Sequence, residues 1–176
     1  MSRDERYRRA VSRDQGLQSM LTEHVVAVED RQVDVDESLL WPEERAAIGE
    51  VVPGRWWDWV MGRRCARLAL DRLGVAPQPV LSGEKRQPLW PGGVVGAITH
   101  TNGYVAAAVA HDHSRRSIGI DSEPDLPLPD GVLDRISLPE ERAWVLADTD
   151  LGVANADRLL FSAKESIYKA WFPLAQ

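Results

Sequence analysis

The segment Ser117–Glu123, SIGIDSE, carries two carboxylates at a spacing that could hold a cation. Its isoleucines alternate with Gly119, Asp121 and Glu123, which is the period-2 pattern of a β-strand. On a strand the two carboxylates would point to the same face, where their like charges repel unless bulk water or a bound cation offsets them. The segment is therefore predicted to be a strand that ends in either a solvated acidic pair or a metal site.

A second set of charged residues lies near the end of the chain, in the sequence KESIYK. Glu165 and Lys169 are one helical turn apart and Lys164 is adjacent, an arrangement that alone commonly decorates exposed helices. Combined with the acidic pair and with His100, the same residues would form a site. Three carboxylates suit magnesium, which also binds substrate phosphates, and the lysine and histidine would supply positive charge to those phosphates.

His100 and Cys65 each have two interpretations. His100 ends an apolar run at a tight hairpin, so it either donates to a turn carbonyl or projects into a cleft. Cys65 lies in the apolar stripe of a predicted helix, which favours a buried thiol over a nucleophile. As the only cysteine it excludes an internal disulfide and a clustered-thiol zinc site, and it is typical of a reducing cytoplasm.

The composition is that of an ordinary soluble globular protein of 176 residues, with 44% hydrophobic and 27% charged residues. The net charge of −6 argues against broad electrostatic binding to nucleic acid. No apolar run is long enough to span a bilayer, so no membrane association is expected. Residues 1–19 are charged and lack a secretory apolar segment, which predicts a flexible tail.

Periodicity and turn residues predict a mixture of helices and strands. The runs VVGAITH and YVAAAVA form a hairpin around Asn-Gly, and SIGIDSE follows as a third strand that extends this meander. Residues 77–93 are too rich in turn residues for a strand interior, and PDLPLPDG is the best candidate for a subdomain boundary. The other predicted elements are a strand in 23–30 and helices over 41–50, 55–73 (ended by Gly74), 139–147 and 156–172.

The last helix is predicted to begin at Asn155 as its cap and to stop at Pro173. Its apolar residues recur at helical spacing and predict a buried stripe. The stripe consists of Leu160, Ala163, Ile167 and Trp171.

The motifs VVGAITHTNGYVAAAV, SIGIDSE and FSAKESIYKAWF, in this order, resemble the three signature motifs of the Sfp/EntD-type 4′-phosphopantetheinyl transferases. The resemblance is closest to the PptT-like branch, in which RRCARLALDRLG, LPDGVLDRISLPEER and KAWFPL also have counterparts. It runs from about Trp41 to the end of the sequence.

The resemblance implies an α+β fold of two similar α/β halves about a pseudo-twofold axis, with the active site in the cleft between them. Residues 20–124 would form the first subdomain, and residues 125–176 a linker and the start of the second. Members of the family continue with further strands after KAWFPL, so the C-terminal half is expected to be truncated here. An uncovered last helix would then expose an apolar patch, with limited stability or a dimer through that helix, and weak or absent activity.

The resemblance also implies the roles of individual residues. Asp121 and Glu123 would bind magnesium, with manganese as the alternative, and Glu165 would be the third ligand and the general base. Lys169 and Lys164 match the two lysines of the third motif, with Lys169 on the phosphates of coenzyme A. The other expected coenzyme A contacts are Thr99 and His100 at a phosphate, Arg55 and Arg63 near the 3′-phosphate, and Lys85 in a basic loop over the nucleotide.

The implied activity is transfer of the 4′-phosphopantetheine arm from coenzyme A to a serine of an acyl or peptidyl carrier protein, with release of 3′,5′-ADP. A non-catalytic protein that binds coenzyme A or a carrier is the first alternative. A metal-dependent nuclease is the second, although Glu165 and Lys169 are at helical spacing and the net charge is acidic.

Overall fold

The computed structural model describes residues 16–31, 35–48, 53–147 and 154–175. Within these residues helices and strands are mixed, which confirms the α+β prediction, whereas the pseudo-twofold arrangement and the truncation stay predictions. In chain order the elements are α1 (Gly16–Met20), β1 (Val26–Asp30), α2 (Pro42–Ala47), α3 (Pro53–Arg72), β2 (Leu81–Ser82), β3 (Pro88–Leu89), β4 (Val94–Thr101), β5 (Tyr104–His111), α4 (Val132–Ile136), α5 (Pro139–Leu146) and α6 (Ala156–Trp171), with 3₁₀ turns at Glu37–Leu39 and Phe172–Leu174.

The part of the predicted tail that the structure describes is helical. Residues 1–15 lie outside the described residues, but residues 16–20 form α1. The backbone N–H of Leu17 donates to Glu29 at 2.9 Å, and the Gln18 side chain bonds Val25 O and Ala27 N at 2.9 and 2.7 Å. These bonds attach α1 to β1.

The central sheet is antiparallel, with three strands in the order β1-β5-β4. The predicted hairpin is confirmed: Thr101 pairs with Tyr104, and only Asn102 and Gly103 form the loop between them. Gly103 has a φ of 73°, a left-handed conformation that glycine adopts without a Cβ penalty. The hairpin places Thr99 and His100 at the end of β4.

The prediction that SIGIDSE is the third strand of this meander was wrong. The free edge of β5 is taken by β1, with Val26 opposite Val109. Residues 117–123 instead run without strand pairing, and Ile118 and Ile120 are buried in the apolar cluster beside the sheet. The alternation of apolar residues therefore reflects alternate burial of an extended chain and not hydrogen-bonded pairing.

Helix α3 covers the opposite face of the sheet and forms the main core. All residues from Val60 to Leu70 are buried, and the arginines among them expose only a small part of their surface. Val105, Ala107 and Val109 of β5 pack against the apolar residues of this stretch. The helix ends as predicted at Gly74, whose φ of 82° suits a residue just past a helix C-terminus.

Two details of the connecting segments differ from the predictions. Residues 77–93 are turn-rich as predicted, but they contain a two-stranded ribbon in which Leu81 pairs with Leu89 and Ser82 with Pro88. A short additional helix, α4, follows PDLPLPDG, and α5 confirms the helix predicted near Pro139.

Helix α6 ends one residue before the predicted position, and no residue of its predicted buried stripe is buried. Ile167 and Trp171 are 66% and 56% exposed, and no residue of α6 is classed as buried against the described residues. The Asn155 side chain does not cap the helix, because its amide donates to Asp125 Oδ1 at 2.7 Å. Among the described residues, no helix combines the length and apolarity that crossing a bilayer requires.

Candidate functional site

The candidate site lies where the end of β4, the segment 117–123 and helix α6 meet. Gly119 makes this meeting possible, because a Cβ there would overlap the backbone oxygen of Ser166 and lie 2.9 Å from Ala170 N. Only glycine allows the backbone of α6 to approach the segment this closely. As a result Lys169 of the helix is brought beside the acidic segment.

Lys169, in the motif FSAKESIYKAWF, forms hydrogen bonds directly to the motif SIGIDSE. Its ammonium group donates to Asp121 Oδ1 at 2.7 Å and to the carbonyl of Ile120 at 3.2 Å. The Asp121 side chain is only 7% exposed, so its charge is balanced mainly by this one lysine. The spatial pairing of the two motifs follows from the packing of α6 against Gly119.

Thr99, on β4, fixes the Asp121 side chain and the next backbone N–H through hydrogen bonds. The Thr99 hydroxyl donates to Asp121 Oδ1 at 3.3 Å and accepts the backbone N–H of Ser122 at 3.0 Å. The residue is 2% exposed. In this structure Thr99 orients the acidic segment, and its predicted contact with a coenzyme A phosphate stays a prediction.

The second oxygen of Asp121, Oδ2, is buried and has no hydrogen-bond partner within the described residues. A buried carboxylate oxygen without a partner is costly, and a cation at this position would remove that cost. Magnesium is commonly held by one or two carboxylates, with waters and substrate phosphates as the other ligands. Asp121 therefore fits the predicted metal.

The other two predicted ligands are not gathered around Asp121. Within the residues described, no group of three acidic, histidine or cysteine side chains is close enough to hold a metal ion. Glu123 is paired with Arg158 Nη1 at 2.9 Å. Glu165 is half-buried and makes no hydrogen bond or ion pair that the described residues show, so its carboxylate is available to accept a proton. Their role as ligands stays a prediction.

Arg158 is a residue that the sequence analysis missed. Besides Glu123, its guanidinium donates to the carbonyls of Leu126 and Pro127 at 2.9 and 2.8 Å, and so fastens the PDLPLPDG segment to α6. Leu128 N–H adds a bond to Asp157 at 2.8 Å. An arginine in the first turn of a helix opposes the helix dipole, which was the available signal that it has a specific partner.

Lys164 points to a neighbouring helix. Its ammonium group donates to Glu141 of α5 at 2.6 Å, and the same carboxylate accepts the N–H of Leu138 at 2.7 Å. These two hydrogen bonds hold the pKa of Glu141 below its usual value, and the bond from Lys164 contributes more than the bond from Leu138. In this structure Lys164 links α5 to α6, and its predicted contact with coenzyme A stays a prediction.

The basic residues near β4 separate into exposed and buried ones. His100 projects outward, 53% exposed, with Nδ1 3.3 Å from Asp58 Oδ2 on α3, and its predicted contact with a phosphate stays a prediction. Arg55 is exposed in the first turn of α3. Arg63 is buried: burial lowers the pKa of its guanidinium to about 10, and the group lies 3.4 Å from the ring centroid of Trp59.

An open cleft of about 520 Å³ lies between the β2–β3 turn, β4, Ser117–Ile118 and the end of α6. Its volume is in the range of small-molecule sites. The lining includes the cations Lys85, Arg86 and Lys169 and the aromatic residues Trp90, Tyr168 and Phe172. Such a cleft suits a ligand with both anionic groups and an apolar arm.

Two family models match consecutive parts of the chain: the 4′-phosphopantetheinyl transferase N-terminal domain over residues 43–110, and the 4′-phosphopantetheinyl transferase superfamily over residues 117–176. The chain is 53% identical over 139 residues to the 4′-phosphopantetheinyl transferase Svp of Streptomyces mobaraensis, covering 78% of this chain and 56% of that protein. It is 50% identical over 135 residues to PptT of Mycobacterium tuberculosis (77% and 59%) and 38% over 137 residues to enterobactin synthase component D of Escherichia coli (77% and 64%). The chain thus spans less than two thirds of the length of these relatives.

Proposed function

The chain belongs to the Sfp/EntD-type 4′-phosphopantetheinyl transferase family, and we propose that it transfers the 4′-phosphopantetheine arm of coenzyme A to a serine of an acyl or peptidyl carrier protein. In this reaction the serine oxygen attacks the β-phosphorus of coenzyme A, the bond to the α-phosphate breaks, and 3′,5′-ADP leaves. The observation that carries the proposal is the Lys169–Asp121 pair at the edge of the basic cleft.

Lys169 is suited to the transferring phosphoryl group. An ammonium group has three N–H donors, and Lys169 uses two of them on Asp121 and Ile120. The third is free for a phosphoryl oxygen, and Lys169 is one of the residues that line the cleft. Charge held in place before the reaction stabilises the negative charge of the transition state without reorganisation.

Glu165 is the proposed general base. It lies one helical turn before Lys169, and the described part of the chain offers its carboxylate no competing partner. A carboxylate within hydrogen-bond reach of the carrier serine accepts the hydroxyl proton as the new bond forms.

Asp121, with Glu123 and Glu165 as the further ligands, would hold the divalent cation. When bound, magnesium or manganese would neutralise charge on the pyrophosphate. The unpartnered Oδ2 of Asp121 supports this assignment. On the nucleotide side, Lys85 and the exposed Arg55 and His100 are the proposed contacts.

Mass spectrometry of a carrier protein incubated with the chain, coenzyme A and magnesium tests the proposal. We expect a mass gain equal to the phosphopantetheine arm, abolished by Glu165→Ala and by Asp121→Asn but not by Glu140→Ala, an exposed glutamate of α5. A folded chain that binds coenzyme A without transferring it would contradict the proposal and support the non-catalytic alternative. Neither family match supports a nuclease.

Two further predictions accompany this function. The exposed apolar residues of α6, among them Ile167 and Trp171, are consistent with a dimer through that helix, which sedimentation velocity would detect. The single buried thiol of Cys65 remains the basis for a cytoplasmic location.

A further inference from the structure

Two cations on helix α6 each bind one carboxylate of the segment 117–123. Lys169 donates to Asp121 Oδ1 at 2.7 Å, and Arg158 Nη1 lies 2.9 Å from Glu123 Oε2. The two cations are separated by about three helical turns and so lie on the same face of α6. The helix thereby supplies a counter-ion to both members of the acidic pair, which offsets the repulsion between them.

The guanidinium of Arg158 has a fixed orientation. Besides Glu123 it binds two backbone oxygens, those of Leu126 through Nε at 2.9 Å and Pro127 through Nη2 at 2.8 Å. A planar guanidinium that donates in three directions cannot rotate without losing one of these bonds. Arg158 therefore holds the Glu123 carboxylate at a defined place.

The stretch of chain that follows Glu123 is attached to the start of α6 by two further bonds. The N–H of Leu128 donates to Asp157 Oδ2 at 2.8 Å, and the Asn155 amide donates to Asp125 Oδ1 at 2.7 Å. Arg158 thus acts on Glu123 from a helix end that is itself fixed to the same stretch.

Both carboxylates of the acidic pair are held by one oxygen and present the other without a partner. Asp121 is bonded through Oδ1, and its buried Oδ2 has no partner. Glu123 is bonded through Oε2, and its Oε1 makes no hydrogen bond with the described residues. Metal-ligating carboxylates are commonly oriented in this way, by hydrogen bonds from groups that do not contact the metal.

We propose that Arg158 is a positioning residue of the metal site, which holds Glu123 through Oε2 so that Oε1 stays available to a divalent cation at Asp121. The presence of that cation rests on the proposed function. The attachment of Glu123 to α6 does not, because it follows from bonds within the chain.

A different role for Arg158 gives the opposite expectation. A positive charge near a cation site repels the cation, so if Arg158 were only a counter-ion, its removal would strengthen metal binding. If Arg158 positions Glu123, its removal weakens metal binding, since outer partners of metal ligands typically contribute a factor of about 10–100 to affinity. The direction of the change therefore distinguishes the two roles.

The first experiment measures the attachment without metal or coenzyme A. In Arg158→Met we expect amide hydrogen exchange at Leu128 to become about tenfold faster, as for the loss of a hydrogen bond to a charged group, with β4 and β5 unchanged. Arg142→Met is the matched control, since Arg142 also binds a carboxylate and a backbone oxygen, both of Asp134, at 2.8 and 3.0 Å. Unchanged exchange at Leu128 in Arg158→Met would overturn the attachment.

The second experiment measures Mn²⁺ binding by electron paramagnetic resonance, with and without coenzyme A. We expect Arg158→Met to weaken Mn²⁺ binding about 10–100-fold and Arg142→Met to leave it unchanged. Arg158→Lys keeps the positive charge but lacks the planar fork that binds Glu123 and both backbone oxygens, so it should restore only part of the affinity.

A double variant separates positioning from a general loss of stability. If Arg158 acts through Glu123, adding Arg158→Met to Glu123→Gln causes no further loss of Mn²⁺ affinity. A further loss by the same factor as in the single variant would show that Arg158 acts independently of Glu123 and would overturn the proposal. Should Arg158→Met fail to fold, Arg158→Lys takes its place, and full Mn²⁺ affinity in that variant would overturn the proposal.

The outcomes separate this inference from the proposed function. Unchanged or tighter Mn²⁺ binding in Arg158→Met would overturn the positioning role and leave the proposed function standing. Weaker binding in Arg158→Met, together with an unaltered chain that modifies no carrier protein, would support the positioning role while the proposed function fails. An unaltered chain that binds no Mn²⁺ would overturn both the metal assignment and the role of Arg158 in it.

Discussion

Helices α3 and α6 are attached to the rest of the molecule in different ways. Helix α3 is buried along most of its length and shares an apolar core with β5. Helix α6 has no residue classed as buried against the described residues, and polar groups attach it to the segment 117–128. These attachments are the bonds of Lys169, Arg158, Asp157 and Asn155.

The two helices therefore contribute differently: α3 supports the fold, and α6 carries the residues proposed for catalysis. Apolar burial stabilises by about 25 cal/mol per Å² and depends little on charge, so the α3 side holds the sheet and the cleft wall under most conditions. A hydrogen bond contributes a net of about 0.5–1.5 kcal/mol and depends on the ionisation of its partners. The residues proposed for phosphoryl transfer, Glu165 and Lys169, therefore lie on a helix that is attached by polar contacts and not by a buried apolar core.

The largest effect on stability is expected on the α3 side, from Glu44→Gln. The amide has one acceptor oxygen and no charge, so Arg67 loses its buried counter-ion and one of the two N–H donors of Trp41 and Val80 loses its partner. Breaking a buried pair in this way costs about 3–5 kcal/mol. Urea denaturation measures the loss.

The control for Glu44→Gln is Glu43→Gln, at the exposed neighbouring position. Its expected effect is within about 0.5 kcal/mol. Equal effects of the two substitutions would show that the buried network does not set the stability of this side.

The next effect is expected on the α6 side, from Gly119→Ala. The new methyl group would overlap the Ser166 backbone, so α6 must shift away from Asp121. We expect a stability loss of about 1–3 kcal/mol from overpacking. Transfer activity should fall about 100-fold, because a displacement of about 1 Å misaligns Glu165 and Lys169. Circular dichroism and the carrier-protein assay measure the two effects.

Gly92→Ala is the matched control for this substitution, since a Cβ there would meet nothing within 4 Å. It should retain full activity. A fully active Gly119→Ala chain would contradict the close packing of α6 on the segment.

The smallest effect is the pH dependence of the contact between α5 and α6. The pKa of Glu141 is lowered in the folded state, first by Lys164, so its stabilising contribution is present above the unfolded value of 4.5 and is lost as the pH falls through the folded value. Lys164→Met should lower the unfolding temperature at pH 6, and the difference from the unaltered chain should shrink as the pH falls below 4.5. Lys85→Met is the control, and a difference that does not shrink with falling pH would contradict this account.

Local patterns determined the elements that depend on neighbouring residues alone. The Asn-Gly hairpin, the end of α3 at Gly74 and, to within one residue, the bounds of α6 were all predictable, because turn chemistry and helical spacing act over a few residues. The two family models that match consecutive parts of the chain also confirm the family assignment made from the three motifs. The sequence therefore determined the family and, with it, which residues are proposed for phosphoryl transfer.

Only the tertiary structure decided which partners these residues have. The segment 117–123 is unpaired because β1 already occupies the edge of β5, a fact that no pattern within the segment contains. Arg63 is buried against Val80 and Ser82, whereas Arg55 on the same helix is exposed, although both look alike as basic residues in the sequence. Contacts between residues far apart in the chain depend on which surfaces are already covered, and that is settled only when the whole chain packs.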